Sequence, residues 1–420
     1  MLDTVRFIPF SYNNADSQSS ALRLILSLFP DWEHAEGEIE FVRFTDGITN
    51  TLLKAIKKKP GYSDEQIDNE AVLLRAYGQG TDILIDRQKE ALNHTLLSEL
   101  NLAPTLLARF QNGLLYRFIR GHPCSPDDLR RESVWRAVGR RLGQWHAVIP
   151  ILQSPASIPT SDQDGLACRD PLEILEHPHP NPISQDAINT VTPDKPVPNV
   201  WTVMQKWIYA LPDGTKKDQL RKERLQKELV RNIRELASRP GLGKDGLVVG
   251  HCDLLSGNVI ILPRQHTTDT KEGEDTVNFI DYEYATPAPA AFDIANHFAE
   301  WGGFDCDYNV LPTRSQRRAF LGEYLNSYNK FLNGEKKEVP EISSEKLQQI
   351  FDEVDIFRGM PGFYWGIWAL IQAQISQIDF DYASYAEVRL AEYWAWRGEP
   401  GTGKEYEAAL LRERRWAQEE

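Results

Sequence analysis

The stretch that decides the fold is LVVGHCDLLSGNVII at residues 247–261, followed after a polar segment by VNFIDYE at residues 277–283. It contains three short runs rich in β-branched residues: Leu247–Val249, Val259–Leu262 and Val277–Ile280. Runs of this length that are bounded by turn residues indicate short buried strands. The polar residues between the runs are therefore predicted to lie in turns.

These turns carry residues suited to phosphoryl transfer. His251, Asp253 and Asn258 follow the pattern H-x-D-x-x-x-x-N, the catalytic-loop spacing of protein kinases, in which the Asp is the base and the Asn holds a metal ion. Asp281, in D-Y-E rather than D-F-G, stands where the second metal-binding carboxylate of that arrangement stands. A transferred phosphoryl group needs magnesium to offset its charge and a carboxylate to take up the hydroxyl proton. Since Asp and Asn are also ordinary turn residues, the apolar flanks and the following F-I-D strengthen the prediction.

The composition limits the class of protein. The chain has 420 residues, enough for two or three domains or one large two-lobed enzyme. The formal net charge of −14 argues against nucleic acid or an anionic membrane surface as a partner. The four cysteines lack C-x-x-C spacing, which indicates a reducing compartment rather than zinc or disulfides. No apolar run approaches the length of a membrane span, and the N-terminus does not resemble a signal peptide. We therefore expect a cytoplasmic protein with no membrane insertion.

The first 119 residues predict a small, strand-rich lobe. Helices are expected at 21–28 and 85–100, and strands at 39–44, 51–56, 71–77, 106–110 and 114–119. The turn 45–50 is rich in small polar residues, so Gly47 and Asn50 are candidates for a turn whose backbone N–H groups cover phosphates. The segment Lys57–Glu70 is charged and is predicted to be a loop.

A larger, helical lobe is predicted after the first one. Gly121 and Pro123 interrupt the strand pattern, so the hinge is expected at 117–120 and the second lobe at 120–420. Residues 150–198 are rich in Pro, Ser and Asp, which predicts a loop-like insertion. Helical patterns follow at 127–147, 216–238, 291–301, 315–328, 343–351, 362–378 and 386–396, and the tail from Lys404 is expected to fray or form a surface helix.

Six motifs, found in one order between about Ala21 and Trp396, resemble those of the choline/ethanolamine kinase family. They are FTDGITN at 44–50, VLLRAYG at 72–78, HCDLLSGN at 251–258, IDYEYA at 280–285, FDIANHFAEW at 292–301 and FYWGIWALIQAQIS at 363–376. The resemblance implies an α+β, two-lobed, protein-kinase-like fold with a small β-rich N-lobe and a larger helical C-lobe. It also implies transfer of the ATP γ-phosphate to a small-molecule amino alcohol, with ATP and Mg²⁺ as cofactors.

The resemblance also implies a role for each matched residue. Asp253 is expected to be the catalytic base, with Asn258 and Asp281 as magnesium ligands. The expected ATP-side residues are Gly47, Asn50, Arg75 paired with Glu90, and Arg117 and Ile119 at the hinge. The expected amine pocket consists of Glu300, Trp365, Trp368 and Tyr385. Tryptophans three residues apart on an apolar helix indicate core packing when taken alone; the resemblance instead predicts that they hold an ammonium group by cation–π attraction.

The substrate is expected to be ethanolamine, giving phosphoethanolamine for phosphatidylethanolamine synthesis. FTDGITN, the short connection 300–311 and QIDFDYASYAEVRL at 377–390 look more like ethanolamine kinases. The residue chemistry itself leaves the amine open, because a carboxylate suits a primary ammonium and aromatic rings suit a trimethylammonium. The alternatives are a choline kinase and a non-catalytic kinase-like binding module, against which the intact set of Asp253, Asn258 and Asp281 argues. A homodimer is allowed but not specified by the sequence.

Overall fold

The computed structural model describes residues 5–44, 50–78, 84–152, 191–192, 195–264, 274–334, 341–376 and 378–420. The chain divides into two compact units: Met1–Asp128 with Gly257–Tyr284, and Leu129–Ser256 with Ala285–Glu420. This division differs from the single predicted boundary near residue 120, because the stretch with the candidate metal ligands belongs to the first unit. The predicted turn residue Gly47 and most of the predicted insertion 150–198 lie outside the described residues.

Within the described ranges, the first unit is built on a six-stranded sheet with three helices. The strands and helices are β1 Arg6–Ile8, α1 Ser17–Leu28, β2 Glu38–Phe44, β3 Asn50–Lys58, α2 Asp64–Glu70, β4 Val72–Tyr77, α3 Arg87–Glu99, β5 Leu106–Phe110 and β6 Gly113–Arg117. The strand order is β1-β5-β6-β4-β3-β2. Strands β1 and β5 run parallel, whereas the other neighbouring strands pair antiparallel. Leu24 and Ile25 of α1 pack in one core cluster with Leu53 and Leu74 of the sheet.

The predicted loop at Lys57–Glu70 is wrong in its second half, which forms α2. Ser63 caps this helix: its side chain accepts a hydrogen bond from Gln66 N–H, and the Gln66 side chain accepts one from Ser63 N–H. Reciprocal bonds of this kind satisfy two backbone donors at a helix start. A short charged helix with no apolar stripe gives no periodic signal, so composition alone suggested a loop.

A second, three-stranded sheet explains the boundary of the first unit. Its strands are β7 His122–Pro123, β9 Val259–Ile261 and β10 Val277–Phe279, in the order β10-β9-β7. In addition, Cys124 N–H donates a 2.8 Å hydrogen bond to Val259 C=O. The two runs of the opening stretch, β9 and β10, are thus tied to the chain that follows the predicted hinge.

The second unit is mainly helical and encloses the two-stranded sheet of β8 Val248–Gly250 and β11 Thr286–Ala288. Gly143, in the helix Glu132–Val148, allows close approach to the helix Arg314–Asn333, since an added Cβ would lie 2.3 Å from Tyr324 O. None of the helices in the described ranges is long and apolar enough to cross a membrane. The helices are α4 Pro126–Leu129, which starts in the first unit, α5 Glu132–Val148, α6 Val200–Ala210, α7 Lys216–Leu236, α8 Ala290–Ala299, α9 Arg314–Asn333, α10 Ser344–Phe357, α11 Met360–Ile375, α12 Tyr382–Arg397 and α13 Lys404–Ala417.

Helix α6 was not predicted from the sequence. Asn199 caps it by accepting hydrogen bonds from the N–H groups of Trp201 and Thr202. Its buried apolar residues Val200, Trp201, Met204, Trp207 and Ile208 recur at helical spacing. This spacing was therefore available in the sequence, although the helix was not predicted.

Candidate active site

The loop that carries Asp253 is held by one carboxylate of the buried helix α8. Asp293 accepts hydrogen bonds from His251 N–H at 2.9 Å and from Cys252 N–H at 2.7 Å. His146 Nε2 lies 2.9 Å from the same carboxylate, and its Nδ1 lies 2.7 Å from the Tyr324 hydroxyl. Burial alone would raise the pKa of Asp293, but the hydrogen bond and charge of His146 outweigh it and hold that pKa below its ordinary value. The carboxylate is therefore ionised and accepts the hydrogen bonds that shape the loop.

Two further side chains of α8 hold the loop on either side of Asp253. Asn296 Nδ2 donates to Cys252 C=O at 3.0 Å, and His297 Nδ1 lies 2.9 Å from Leu254 C=O. Burial lowers the pKa of His297 to about 4, so the ring is neutral and its Nδ1–H is the donor. Cys252 has a φ of +62°, a left-handed conformation that non-glycine residues adopt only where the surroundings enforce it. Hydrogen bonds to the backbone therefore determine the position of buried Asp253.

Asn258 and Asp281, the candidate magnesium ligands, are neighbours in the first unit. Asn258 directly precedes β9, and Asp281 follows β10. Ile280 N–H donates a 3.0 Å hydrogen bond to Asn258 C=O, which continues the pairing of the two strands to the candidate ligands. Asp281 has a φ of +67°, which Asp tolerates better than most residues. Carboxylate and amide oxygens are ligands that Mg²⁺ accepts, so this pair fits the predicted metal.

Asp281 also belongs to a cluster of five charged side chains. Arg75 contacts Asp281 Oδ1 at 2.7 Å, Glu283 Oε2 at 2.5 Å and Glu90 Oε1 at 3.5 Å. Arg87 contacts Glu90 at 2.9 Å and Glu283 at 3.0 Å. Burial, followed by the charge of Asp281, raises the pKa of Glu283 to about 7, against the opposing effect of Arg75. Three carboxylates share two guanidinium groups, and the charge of Asp281 already raises the pKa of Glu283; a metal ion would offset this negative charge.

Removal of the Arg75 charge is expected to destabilise the first unit. Arg75→Met should lower the free energy of unfolding by about 3–5 kcal/mol, since it leaves Glu90, Glu283 and Asp281 to share the single guanidinium group of Arg87. Urea unfolding measures the effect. The control is Arg43→Met at an exposed position, where Arg43 donates to Asn14 and where a change within about 0.5 kcal/mol is expected. A loss of less than about 1 kcal/mol for Arg75→Met would contradict the assigned role of its ion pairs.

Asn296 joins the loop of Asp253 to the predicted amine pocket. Its Oδ1 accepts a 2.8 Å hydrogen bond from Trp365 Nε1–H, while its Nδ2 donates to Cys252 C=O. The amide orientation is forced, because the indole N–H can only donate and the carbonyl can only accept. Trp365 contacts Trp368 edge to face at 5.3 Å between ring centres. The structure thus holds the first ring of the pocket against the helix that positions the loop.

Glu300 and Tyr385, the other two residues predicted for the pocket, both lie beside Arg389. Glu300 Oε1 lies 3.4 Å from Nη2 of buried Arg389, whose guanidinium carbon is 5.8 Å from the centre of the Tyr385 ring. Burial raises the pKa of Glu300, and the charge of Arg389 opposes this rise. The aromatic contacts continue from Trp368 to Tyr385 through two further rings, Tyr382 and Phe380. Arg389 was not singled out from the sequence, since its ion pair joins positions 89 residues apart.

The predicted ATP-side residues are less closely grouped. Asn50 Nδ2 lies 3.4 Å from Glu283 Oε2, next to the charged cluster. The Arg117 side chain donates to Glu70 C=O at 2.6 Å, and its backbone N–H donates to Thr105 C=O. Ile119 is half-buried. The Arg117 side chain is therefore occupied within the first unit, and contact of the hinge with adenine stays a prediction.

Comparison with known proteins gives one consistent result. Residues 41–394 match the sequence model of the choline/ethanolamine kinase family. Ethanolamine kinase 1 of Mus musculus is 30% identical over 391 residues, which cover 91% of this chain and 90% of that protein. A probable ethanolamine kinase of Nematostella vectensis is 30% identical over 384 residues, which cover 90% and 93%. The solved Plasmodium vivax ethanolamine kinase superposes with a TM-score of 0.62 at 22% identity, covering 92% of this chain and 91% of that one. A choline kinase from Cryptosporidium parvum gives a TM-score of 0.58 at 18% identity, covering 91% and 95%.

The solved structures define the fold as that of small-molecule kinases with a mixed α and β architecture. The family match spans most of the chain, and the chain therefore belongs to the choline/ethanolamine kinase family. The predicted α+β fold and the family resemblance are confirmed, and with them the enzyme class of a small-molecule kinase.

Proposed function

We propose that this chain is an ATP-dependent ethanolamine kinase. It transfers the γ-phosphoryl group of ATP to the hydroxyl of ethanolamine, giving phosphoethanolamine for phosphatidylethanolamine synthesis. The observation that carries the proposal is the support of the Asp253 loop by Asp293, Asn296 and His297. Similarity to ethanolamine kinases over about nine-tenths of the chain supports the choice of substrate class.

Asp253 is proposed to be the general base. Its carboxylate takes the proton of the ethanolamine hydroxyl as the hydroxyl oxygen bonds to the γ-phosphorus, while the bond to the β,γ-bridging oxygen breaks and ADP leaves. Positioned proton transfer of this kind contributes about 10²- to 10⁴-fold in rate. Hydrogen bonds between side chains of α8 and the backbone on either side of Asp253 help to keep the carboxylate in place.

Asn258 and Asp281 are proposed to hold Mg²⁺ with ATP. Bound magnesium supplies positive charge that offsets the charge of the phosphates. Among the described residues, no group of three or more His, Cys, Asp or Glu side chains could hold a metal. The set therefore relies on one amide, one carboxylate and oxygens from phosphate or water, which is how Mg²⁺ commonly binds beside nucleotides. The negative charge around Asp281 supports the same assignment.

Glu300 and the aromatic side chains of α11 and α12 are proposed to bind the ammonium group. The ammonium of ethanolamine carries three N–H donors, which a carboxylate can accept. Trp365, Trp368 and Tyr385 add cation–π attraction, which choline would also experience. Glu300 therefore favours the primary amine, whereas the rings do not discriminate. A cytoplasmic location is part of the same proposal and is supported by the scattered cysteines.

Steady-state kinetics with the two amines tests the proposal. The value of kcat/KM for ethanolamine is expected to exceed that for choline by about tenfold or more, because only the primary ammonium can donate hydrogen bonds to Glu300. A coupled assay of ADP release with equal concentrations of either amine measures the ratio. A preference for choline by tenfold would identify a choline kinase instead. Absence of turnover with both amines would favour the non-catalytic module.

A further inference from the structure

A buried cation, Arg389, lies beside the residues proposed to bind the amine, and the proposed function gives it no role. Arg389 lies in α12 one turn after Tyr385, and 1% of its side chain is exposed. Its Nη2 is 3.4 Å from Glu300 Oε1, and its Nε is 3.5 Å from Glu392 Oε2. The guanidinium group therefore lies between two carboxylates and beside one of the aromatic rings of the pocket.

The neighbouring Glu392 has other partners that neutralise it. Arg412 Nε lies 3.8 Å from Glu392 Oε2, and the Tyr308 hydroxyl donates to Glu392 Oε1 at 3.0 Å. Among the described residues, Arg389 is the cation that contacts Glu300. A carboxylate as buried as Glu300 would take up a proton if no cation lay beside it.

We propose that Arg389 is a positioning residue that keeps Glu300 ionised and oriented to receive the ammonium group of the substrate. This inference rests on the proposed function of ethanolamine phosphorylation. The contact with Oε1 is long for a hydrogen bond, so the carboxylate keeps most of its capacity to accept from a second donor. The ion pair thus orients Glu300 and leaves its oxygens able to accept hydrogen bonds from the ammonium group of the substrate.

The inference predicts a selective loss of affinity for the amine. Arg389→Met removes the charge but keeps an unbranched side chain. The KM for ethanolamine near neutral pH is expected to rise about tenfold or more, because a protonated Glu300 no longer attracts the ammonium. The KM for ATP should stay within about twofold, since this residue acts on the amine side only.

The pH dependence of KM separates this role from a merely structural one. The titratable and charged groups around Glu300 are Arg389, Glu392, Arg412, Tyr385, Tyr308 and Cys306. Loss of Arg389 removes the effect that lowers the pKa of Glu300, so burial would raise this pKa further. In Arg389→Met the KM for ethanolamine should therefore be highest at low pH and fall as pH rises and the carboxylate ionises, and this fall should lie at a higher pH than in the wild type.

Arg412→Met is the matched control. Arg412 is equally buried and contacts Glu392, but its other contacts are Glu413 and Arg358 C=O. Its loss should lower stability without a selective rise of the ethanolamine KM. Arg389→Lys should recover most of the wild-type affinity because it restores the charge. In a Glu300→Gln background, Arg389→Met should raise the KM for ethanolamine by less than about twofold, since both changes act through the carboxylate of Glu300.

The outcomes separate this inference from the proposed function. Wild-type protein that does not phosphorylate ethanolamine would overturn both. A wild type that turns over, with an unchanged or lower ethanolamine KM in folded Arg389→Met, would overturn the inference alone. The inference would also be overturned if Arg412→Met raised the KM for ethanolamine as much as Arg389→Met does. Additive effects of Glu300→Gln and Arg389→Met on this KM would overturn it as well. If Arg389→Met does not fold, Arg389→Gln replaces it in every comparison.

Discussion

Replacing Asp253 with asparagine is expected to lower kcat by about 10²- to 10⁴-fold, because the variant cannot accept the hydroxyl proton. The fold should persist, since Asp293, Asn296 and His297 hold the backbone of this loop and not the Asp253 side chain. The free energy of unfolding should therefore change by less than about 1 kcal/mol. Initial rates at saturating ATP and amine, together with urea unfolding, measure both quantities.

The control for this variant is an aspartate of the second unit with no part in the site. Asp213 is exposed and pairs with Lys222, so Asp213→Asn should leave kcat unchanged. A kcat for Asp253→Asn within about threefold of wild type would show that another group accepts the proton. Loss of activity that accompanies unfolding would instead assign Asp253 a structural role.

Replacing Asp293 with alanine is expected to affect stability and activity together. The change removes the acceptor for the N–H groups of His251 and Cys252 and leaves buried His146 without its carboxylate. Loss of one partner from a buried charged network costs about 3–5 kcal/mol in the free energy of unfolding. The folded fraction should also lose activity, because the left-handed Cys252 next to Asp253 loses one of its supports.

Urea unfolding and the kcat of the folded fraction test this prediction. Asp293→Asn is the milder comparison, since one oxygen still accepts from the backbone, and its effect should lie between wild type and Asp293→Ala. The pKa of Asp293 is lowered, so the carboxylate stabilises the fold above the ordinary pKa of an unfolded aspartate, and this stabilisation is lost as pH falls through the pKa of the folded state. The difference in the free energy of unfolding between wild type and Asp293→Ala should therefore shrink as pH falls through that range. A loss below about 1 kcal/mol would contradict the assigned role of this carboxylate.

The sequence predicts this fold well where local patterns carry the signal. The runs that became β8, β9 and β10 follow from β-branched residues next to polar turns. Amphipathic spacing likewise predicted α7 within two residues of its end. Helix α2 was missed because it has no apolar stripe, whereas α6 was missed although its apolar residues recur at helical spacing.

In the candidate site, residues within a short stretch could be predicted from the sequence, whereas long-range contacts could not. Spacing and family resemblance were enough to select Asp253, Asn258 and Asp281, whose chemistry is contained in a short stretch. The contacts that support them could not be read from the sequence, because they join distant positions: Asp293 lies 42 residues from His251. Arg75 was selected as an ATP-side residue, but its ion pair with Asp281, 206 residues away, was not predicted. Asp293 and His297 are four residues apart and so lie on one helix face, but this spacing alone does not indicate that the face holds the loop.

The most direct test of the central claim is identification of the reaction product. Wild-type protein incubated with ATP, Mg²⁺ and ethanolamine can be followed by ³¹P NMR, which resolves the phosphomonoester from the nucleotide phosphates. The account predicts phosphoethanolamine and ADP in equal amounts, and an initial rate of phosphoethanolamine formation about 10²- to 10⁴-fold lower with Asp253→Asn. Release of ADP and inorganic phosphate without phosphoethanolamine, or no reaction at all, would contradict the claim that this chain phosphorylates ethanolamine.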